Sequence, residues 1–175
     1  MRWYPPMITQ EQFSNPDKLD QSIIDLAHRV RTEIAVPMYF SKMGNVIYNR
    51  ERDAVPPDST SHTGFSLHKY GIDHIESYKQ NRIVLNDKIL GKALDFHVKI
   101  TSPADFVDIV LDIIKVEIPG LGIYPQWNGF HIDVRGQSHP SYGAKWIRIK
   151  EDKNVDYPFN ATNLFRLYDK NLYRL

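Results

Sequence analysis

His131, Asp133 and Arg135 stand at alternate positions near the end of the segment GLGIYPQWNGFHIDVRG, Gly120 to Gly136. Side chains of an extended strand alternate between its faces, so these three point one way while Ile132 and Val134 point the other, toward a core. A strand that gives its polar face to an imidazole, a carboxylate and a guanidinium is suited to lining a site. The segment GKALDFHV, Gly91 to Val98, repeats the logic, with Asp95 and His97 on one face and Leu94, Phe96 and Val98 on the other. A histidine ahead of the first strand, Asp95 on it and His131 on the second make two imidazoles and one carboxylate. That set suits zinc with a fourth position left to water. Zinc lowers the pKa of such a water to about 7 and polarises a carbonyl, and a nearby carboxylate would take the proton. An ordinary surface pair is the other reading of a strand Asp and a strand His.

The elements that must position these groups are legible in part. Residues Asn15 to Ala35 read as one amphipathic helix. Asn15 caps it, Pro16 suits the first turn, and Leu19, Ile23, Ile24, Leu26, Ala27, Val30 and Ile34 recur near the helical period. His28 falls on its partly exposed side. Residues 37–41 suggest a short strand, Gly44-Asn45 a turn, and Asn49 to Gly64 a polar loop. Leu67 to Leu90 reads as loop with some helix. Lys92 to Ile100 is a strand, and Ser102 with Asp105 forms a capping box for the next helix, whose buried face is Phe106, Ile109, Val110, Ile113 and Ile114. Ile123-Tyr124 and Phe130 to Val134 are further strands, Trp146 to Ile149 an edge strand, and NLFRLYDKNLYRL a short terminal helix. The order predicts an α+β fold, a mainly antiparallel sheet with flanking helices. Its domains would be 1–150, with 151–175 an extension packed on the same body.

Composition narrows the classes. The chain has 175 residues, 42% apolar and 25% charged, enough for one domain with a sizeable core. A net charge of +1 gives no sign of a nucleic-acid or membrane-surface binder. No cysteine is present, so any metal must use His, Asp or Glu, and seven histidines are available. No run approaches the length of a membrane helix, and the start MRWYPPMITQEQF lacks the apolar stretch of a signal peptide. The expectation is a monomer without membrane insertion that is cytoplasmic, released by another route or already trimmed. Ten Tyr, eight Phe and three Trp fit a partly polar groove as well as plain packing.

Taken together, Ser66-Leu67-His68-Lys69-Tyr70-Gly71, Gly91-Lys92-Ala93-Leu94-Asp95-Phe96, Gly120-Leu121-Gly122-Ile123-Tyr124-Pro125 and Phe130-His131-Ile132-Asp133-Val134-Arg135 resemble the zinc D-alanyl-D-alanine carboxypeptidases. Their relatives include L-alanyl-D-glutamate endopeptidases and the hedgehog signalling domain. The family patterns are S-x-H-x-x-G-x-A-x-D and G-x-G-x-Y-P followed by F-x-H-x-D-x-R, and the resemblance spans about residues 13 to 150. It implies a hedgehog/D-Ala-D-Ala-peptidase-like fold, with His68, Asp95 and His131 as zinc ligands. It also implies hydrolysis of peptide bonds in peptidoglycan stem peptides, by a protein that is either cytoplasmic or delivered to the cell wall by a phage. Asp133 becomes either the general base or a partner that orients a ligand. Arg135 becomes either a clamp for a substrate carboxylate or half of an ion pair. Ser66 would hydrogen-bond substrate or loop backbone, and Tyr124, Gln126 and Trp127 would wall the groove. His97 is expected to make a structural hydrogen bond, and His139 to lie in a loop.

Two departures stand out. In the family pattern the first His and the Asp share one short motif, whereas 26 residues separate His68 from Asp95 here. Either about twenty residues are inserted after Tyr70, which costs little, or Lys88 occupies the His position and the metal site is lost. His62 and His74 are reserve ligands. Asn128 stands where the family carries an acidic base. Lys88 at the His position and Asn128 at the base position would support a rival reading, a non-catalytic cell-wall-binding or phage structural protein on the same fold with a degenerate metal site. A third reading is a metal-free carbohydrate-binding module using its tyrosines.

Overall fold

The computed structural model describes residues 1–40, 42–43, 46–47, 53–60, 65–150 and 154–164. Its first long element is α1, Gln21–Ile34, which begins later than the sequence suggests. Asn15 and Pro16 instead open a separate 3₁₀ turn over Pro16–Lys18. The helix starts where the Asp20 carboxylate accepts from the Ser22 N–H. The reason is tertiary: Leu19 is held extended by a parallel bridge to Gly91, with Gly91 N–H donating to Lys18 and Asp20 N–H to Gly91. The buried stripe is Ile23, Ile24, Leu26, Ala27, Val30 and Ile34. A two-stranded ribbon follows, β1 (Lys42–Met43) and β2 (Val46–Ile47). The strand expected at 37–41 is reduced to one bridge, Tyr39 to His97. The Gly44-Asn45 turn and the ends of the Asn49–Gly64 loop lie outside the described residues.

The second helix, α2 (His74–Gln80), is capped by Asp73, which accepts from Glu76 N–H. The strand β3 (Ala93–His97) leads to α3 (Pro103–Ile113), where Ser102 and Asp105 form the capping box read from the sequence. Then come β4 (Gly120–Tyr124), β5 (Gly129–Asp133), β6 (Ala144–Lys150) and β7 (Asn154–Pro158). The five strands form one sheet in the order β3-β5-β4-β6-β7, antiparallel except where β4 and β6 run parallel. The fold is therefore α+β with a mainly antiparallel sheet.

A further expectation needs correction. Trp146–Ile149 is not an edge: β7 lies outside it, and the polar stretch NVDYP that forms β7 pairs along its length with β6. The terminal helix is described only as one turn, 161–164, and 165–175 lie outside the described residues.

One face of the sheet carries Leu94, Phe96, Phe130, Ile132, Leu121, Ile123 and Ile147, all buried in a single core with the apolar stripes of α1 and α3. Stacked Phe96, Phe130 and Phe106 join sheet to helix at 5.3 and 5.1 Å between centroids. Each fully buried phenylalanine contributes about 1.5–3 kcal/mol. The opposite face is left for polar groups. No helix among the described residues is long and apolar enough to cross a membrane.

Candidate metal centre

Register brings the polar residues together. Asp95 of β3 lies directly opposite His131 of β5, and His131 lies opposite Gly122 of β4. His68 arrives from a loop that is tied to the sheet through backbone: Lys92 N–H donates to Leu67 at 2.8 Å, and Val55 N–H donates to the His68 carbonyl at 2.9 Å. Ser66 Oγ accepts from His68 N–H at 3.4 Å, so of its two expected partners it takes the loop backbone. The segment after Tyr70 leaves at Gly71 and returns at Ile89, whose carbonyl accepts from Gly71 N–H at 2.8 Å. An excursion closed at its base in this way separates His68 from Asp95 in sequence while leaving them adjacent in space. Lys88 is exposed on it, away from the role of a ligand.

The three expected ligands converge. His68 Nε2, Asp95 Oδ1 and His131 Nδ1 stand 3.5, 2.8 and 3.3 Å apart, taken as the His68–Asp95, His131–Asp95 and His68–His131 pairs. Among the described residues they form the group of His, Asp and Glu side chains whose ligand atoms could hold one metal ion. Tetrahedral zinc with bonds of about 2.0–2.1 Å places neighbouring ligand atoms about 3.3 Å apart, so the triangle has the right size. Each imidazole is fixed through its other nitrogen. His68 Nδ1 donates to the Asp53 carbonyl at 3.0 Å, and His131 Nε2 donates to Asp133 Oδ2 at 3.0 Å. These bonds select the tautomers that turn a lone pair from each ring toward Asp95. Metal sites commonly hold their histidines in this manner.

Among the protein's own charges, His131 sits between two carboxylates. Burial disfavours its imidazolium, but hydrogen bonds to Asp133 and Asp95 outweigh this and push its pKa up to about 9. Burial likewise opposes ionisation of Asp95, yet the His68 and His131 rings hold it well below the usual carboxylate range. Asp133 is depressed in the same way: burial opposes its charge, and Arg135 and His131 prevail.

A pH dependence follows for metal-free protein. His131 has a folded pKa above its unfolded value, so its stabilisation is complete below about pH 6.5 and is lost as pH rises through 9. The loss for the coupled cluster is about 3 kcal/mol. The depressed carboxylates act oppositely, contributing above about pH 4 and losing that contribution on acidification. Urea unfolding of chelator-treated protein should show greatest stability between these limits. Bound metal, which needs His131 neutral, should remove the alkaline decline.

The remaining expected residues divide. Asp133 is fully buried, and Arg135 occupies both its oxygens, Nε donating to Oδ1 at 2.7 Å and Nη2 to Oδ2. Arg135 Nη1 donates to the Ser141 carbonyl at 3.1 Å, so of its two expected roles it forms the ion pair. Tyr124 lies on the polar face with Trp127 edge-on at 5.7 Å. His97 makes the expected structural bond, Nδ1 donating to the Trp127 carbonyl at 2.6 Å. His139 is in a loop, though buried, with Tyr78 of α2 edge-on at 4.9 Å. His74 is buried on α2 with Nε2 facing the Lys69 carbonyl, and does not join the cluster. His62 lies outside the described residues. Asn128 has a left-handed backbone (φ 49°) at the end of the Pro125–Trp127 turn, a conformation asparagine tolerates.

Sequence reasoning missed Trp146 as part of the site. It lies opposite Gly122 on the side away from His131, with its ring 5.4 Å from the His131 ring and the Arg135 guanidinium 5.8 Å above it. The signal was Gly120 and Gly122 themselves. A Cβ on Gly122 would meet the Trp146 ring at 2.8 Å and His131 Cβ at 3.0 Å, and one on Gly120 would run into the Asp133 carboxylate. No family model matches this chain, and neither does any curated protein or solved structure.

Proposed function

We propose that the chain is a zinc-dependent hydrolase of peptidoglycan stem peptides, similar to the D-alanyl-D-alanine carboxypeptidases, on a fold of the hedgehog/D-Ala-D-Ala-peptidase type. One observation carries the metal half of this reading. Three electron-pair donors meet within 3.5 Å, and both imidazoles are locked from behind by an acceptor. The substrate half rests on the motif resemblance. Zinc held by His68, Asp95 and His131 would polarise a scissile carbonyl and acidify a water.

The chain's own residues supply the rest. Asp133 holds the His131 proton on Nε2 and so keeps Nδ1 available. Arg135 keeps Asp133 ionised and in place. Trp146 reaches toward the His131 ring from β6, across Gly122 of the intervening β4, and would limit water on that side. Because its oxygens are engaged by Arg135 and His131, the orienting role fits Asp133 better than that of general base.

The test is digestion of purified peptidoglycan with and without a chelator. Metal-dependent release of free D-alanine marks a carboxypeptidase, and new peptide termini mark an endopeptidase. Release that persists in chelator would contradict the proposal. The rival, a non-catalytic binding or phage structural protein on the same fold with a degenerate metal site, is supported by Asn128 at the expected base position. It predicts sedimentation with peptidoglycan and no product.

A further inference from the structure

The polar face of the sheet continues past the His–Asp–His cluster. Along it β4 presents Gly120, Gly122 and Tyr124, and β6 presents Ala144, Trp146 and Arg148. Over the two glycines lie the Asp133 carboxylate and the Trp146 ring, and the next same-face side chains along β4 and β6 are Tyr124 and Arg148. The Arg148 guanidinium sits 5.5 Å from the Tyr124 ring centroid. Its Nε and Nη2 donate to the two Asp156 oxygens on β7 at 2.6 and 2.8 Å. That fork uses one edge of the guanidinium. Nη1 has no hydrogen-bond partner among the described residues, and the side chain is 33% exposed. Arg148 is the next residue on this face of β6 after Trp146, whose ring stands 5.4 Å from the His131 ring, so a molecule lying across the cluster along β6 would meet this cation. Arg135, the other guanidinium on this face, is only 10% exposed and already bonded through three nitrogens.

We propose that Arg148, stacked on Tyr124 and anchored by Asp156, is a carboxylate-binding subsite of the groove. For the identity of its ligand this rests on the stem-peptide reading above. An arginine pinned along one edge loses little rotamer freedom when its other edge takes an anion. Partial burial strengthens the charge-assisted bond. A stem pentapeptide carries two carboxylates, the terminal one and the α-carboxylate of its γ-linked glutamate. The first at Arg148 would register the chain for removal of the last residue, the second for an internal cut.

The experiment is calorimetric titration of the full chain with the pentapeptide L-Ala-γ-D-Glu-L-Lys-D-Ala-D-Ala and two versions, each with one carboxylate amidated. Wild type should bind one amidated version about 10- to 100-fold more weakly, and which version it is names the carboxylate. Arg148→Ala should lose the same factor toward the parent peptide and show no further loss with the amidated one. Asp156→Asn breaks the same cross-strand pair but keeps the cation, and should retain the carboxylate preference. Equal losses in Arg148→Ala and Asp156→Asn would mean the pair is merely structural and overturn the subsite. So would an undiminished preference in Arg148→Ala, or no binding by wild type. Zinc content measured on the same samples keeps the two proposals apart. Zinc bound without an Arg148-dependent preference sinks only the subsite, and the preference without zinc sinks only the hydrolase.

Discussion

Replacing His131 with alanine is expected to abolish metal binding and hydrolysis together. Three protein ligands leave no spare donor, and His131 Nδ1 is the one that faces both His68 and Asp95 at 3.3 and 2.8 Å. The substitution also removes the cation-forming ring that bridges Asp95 and Asp133 in metal-free protein. Stripping a partner from a buried charge cluster costs about 3–5 kcal/mol, so chelator-treated His131→Ala should unfold at lower urea than chelator-treated wild type. The two readouts separate loss of a ligand from loss of the fold. A His131→Ala protein that stays folded near wild-type denaturant concentrations, binds zinc one to one and still cleaves would contradict the site.

The second large effect distinguishes the two roles open to Asp133. If it orients His131, Asp133→Asn weakens metal binding by about 10–100-fold, the usual result of losing such a partner, and saturating zinc restores much of the turnover. If it is instead the general base, Asp133→Asn keeps its metal, and kcat falls with no rescue by zinc. The geometry favours the first outcome, because Asp133 is fully buried and Arg135 grips both its oxygens. Zinc titration and steady-state rates on the one variant read both quantities.

How much of this was legible in the chain depended on whether the cause was local. Alternation in 93–97 and 129–133 gave the two polar strands because each buries one face, and that face is Leu94, Phe96, Phe130 and Ile132. The Ser102–Asp105 box marked α3 because a capping box is made within four residues. The start of α1 was misjudged because Leu19 is held extended by Gly91, a partner far along the chain. The strand β7 was missed because an edge strand buries little, here only Val155 and Tyr157 in part, and so reads as a polar loop. Trp146 escaped for a related reason: only the parallel pairing of β4 with β6, set by a long connection, brings it against His131.

The candidate site was legible in its residue types, but not in its closure. His68, Asp95 and His131 follow from motif and alternation. What makes them one centre is the 2.8 Å bond from Gly71 to Ile89 that closes the intervening excursion, together with the Lys92–Leu67 bond that draws the loop to the sheet. Neither bond involves a side chain, so neither leaves a signature in the sequence.

The most direct measurement is elemental analysis of zinc on purified wild type and His68→Ala. The account predicts one zinc per wild-type chain and none retained by the variant. Wild-type protein that holds no zinc after adding it back, or a His68→Ala variant that holds it as tightly, would contradict the metal centre.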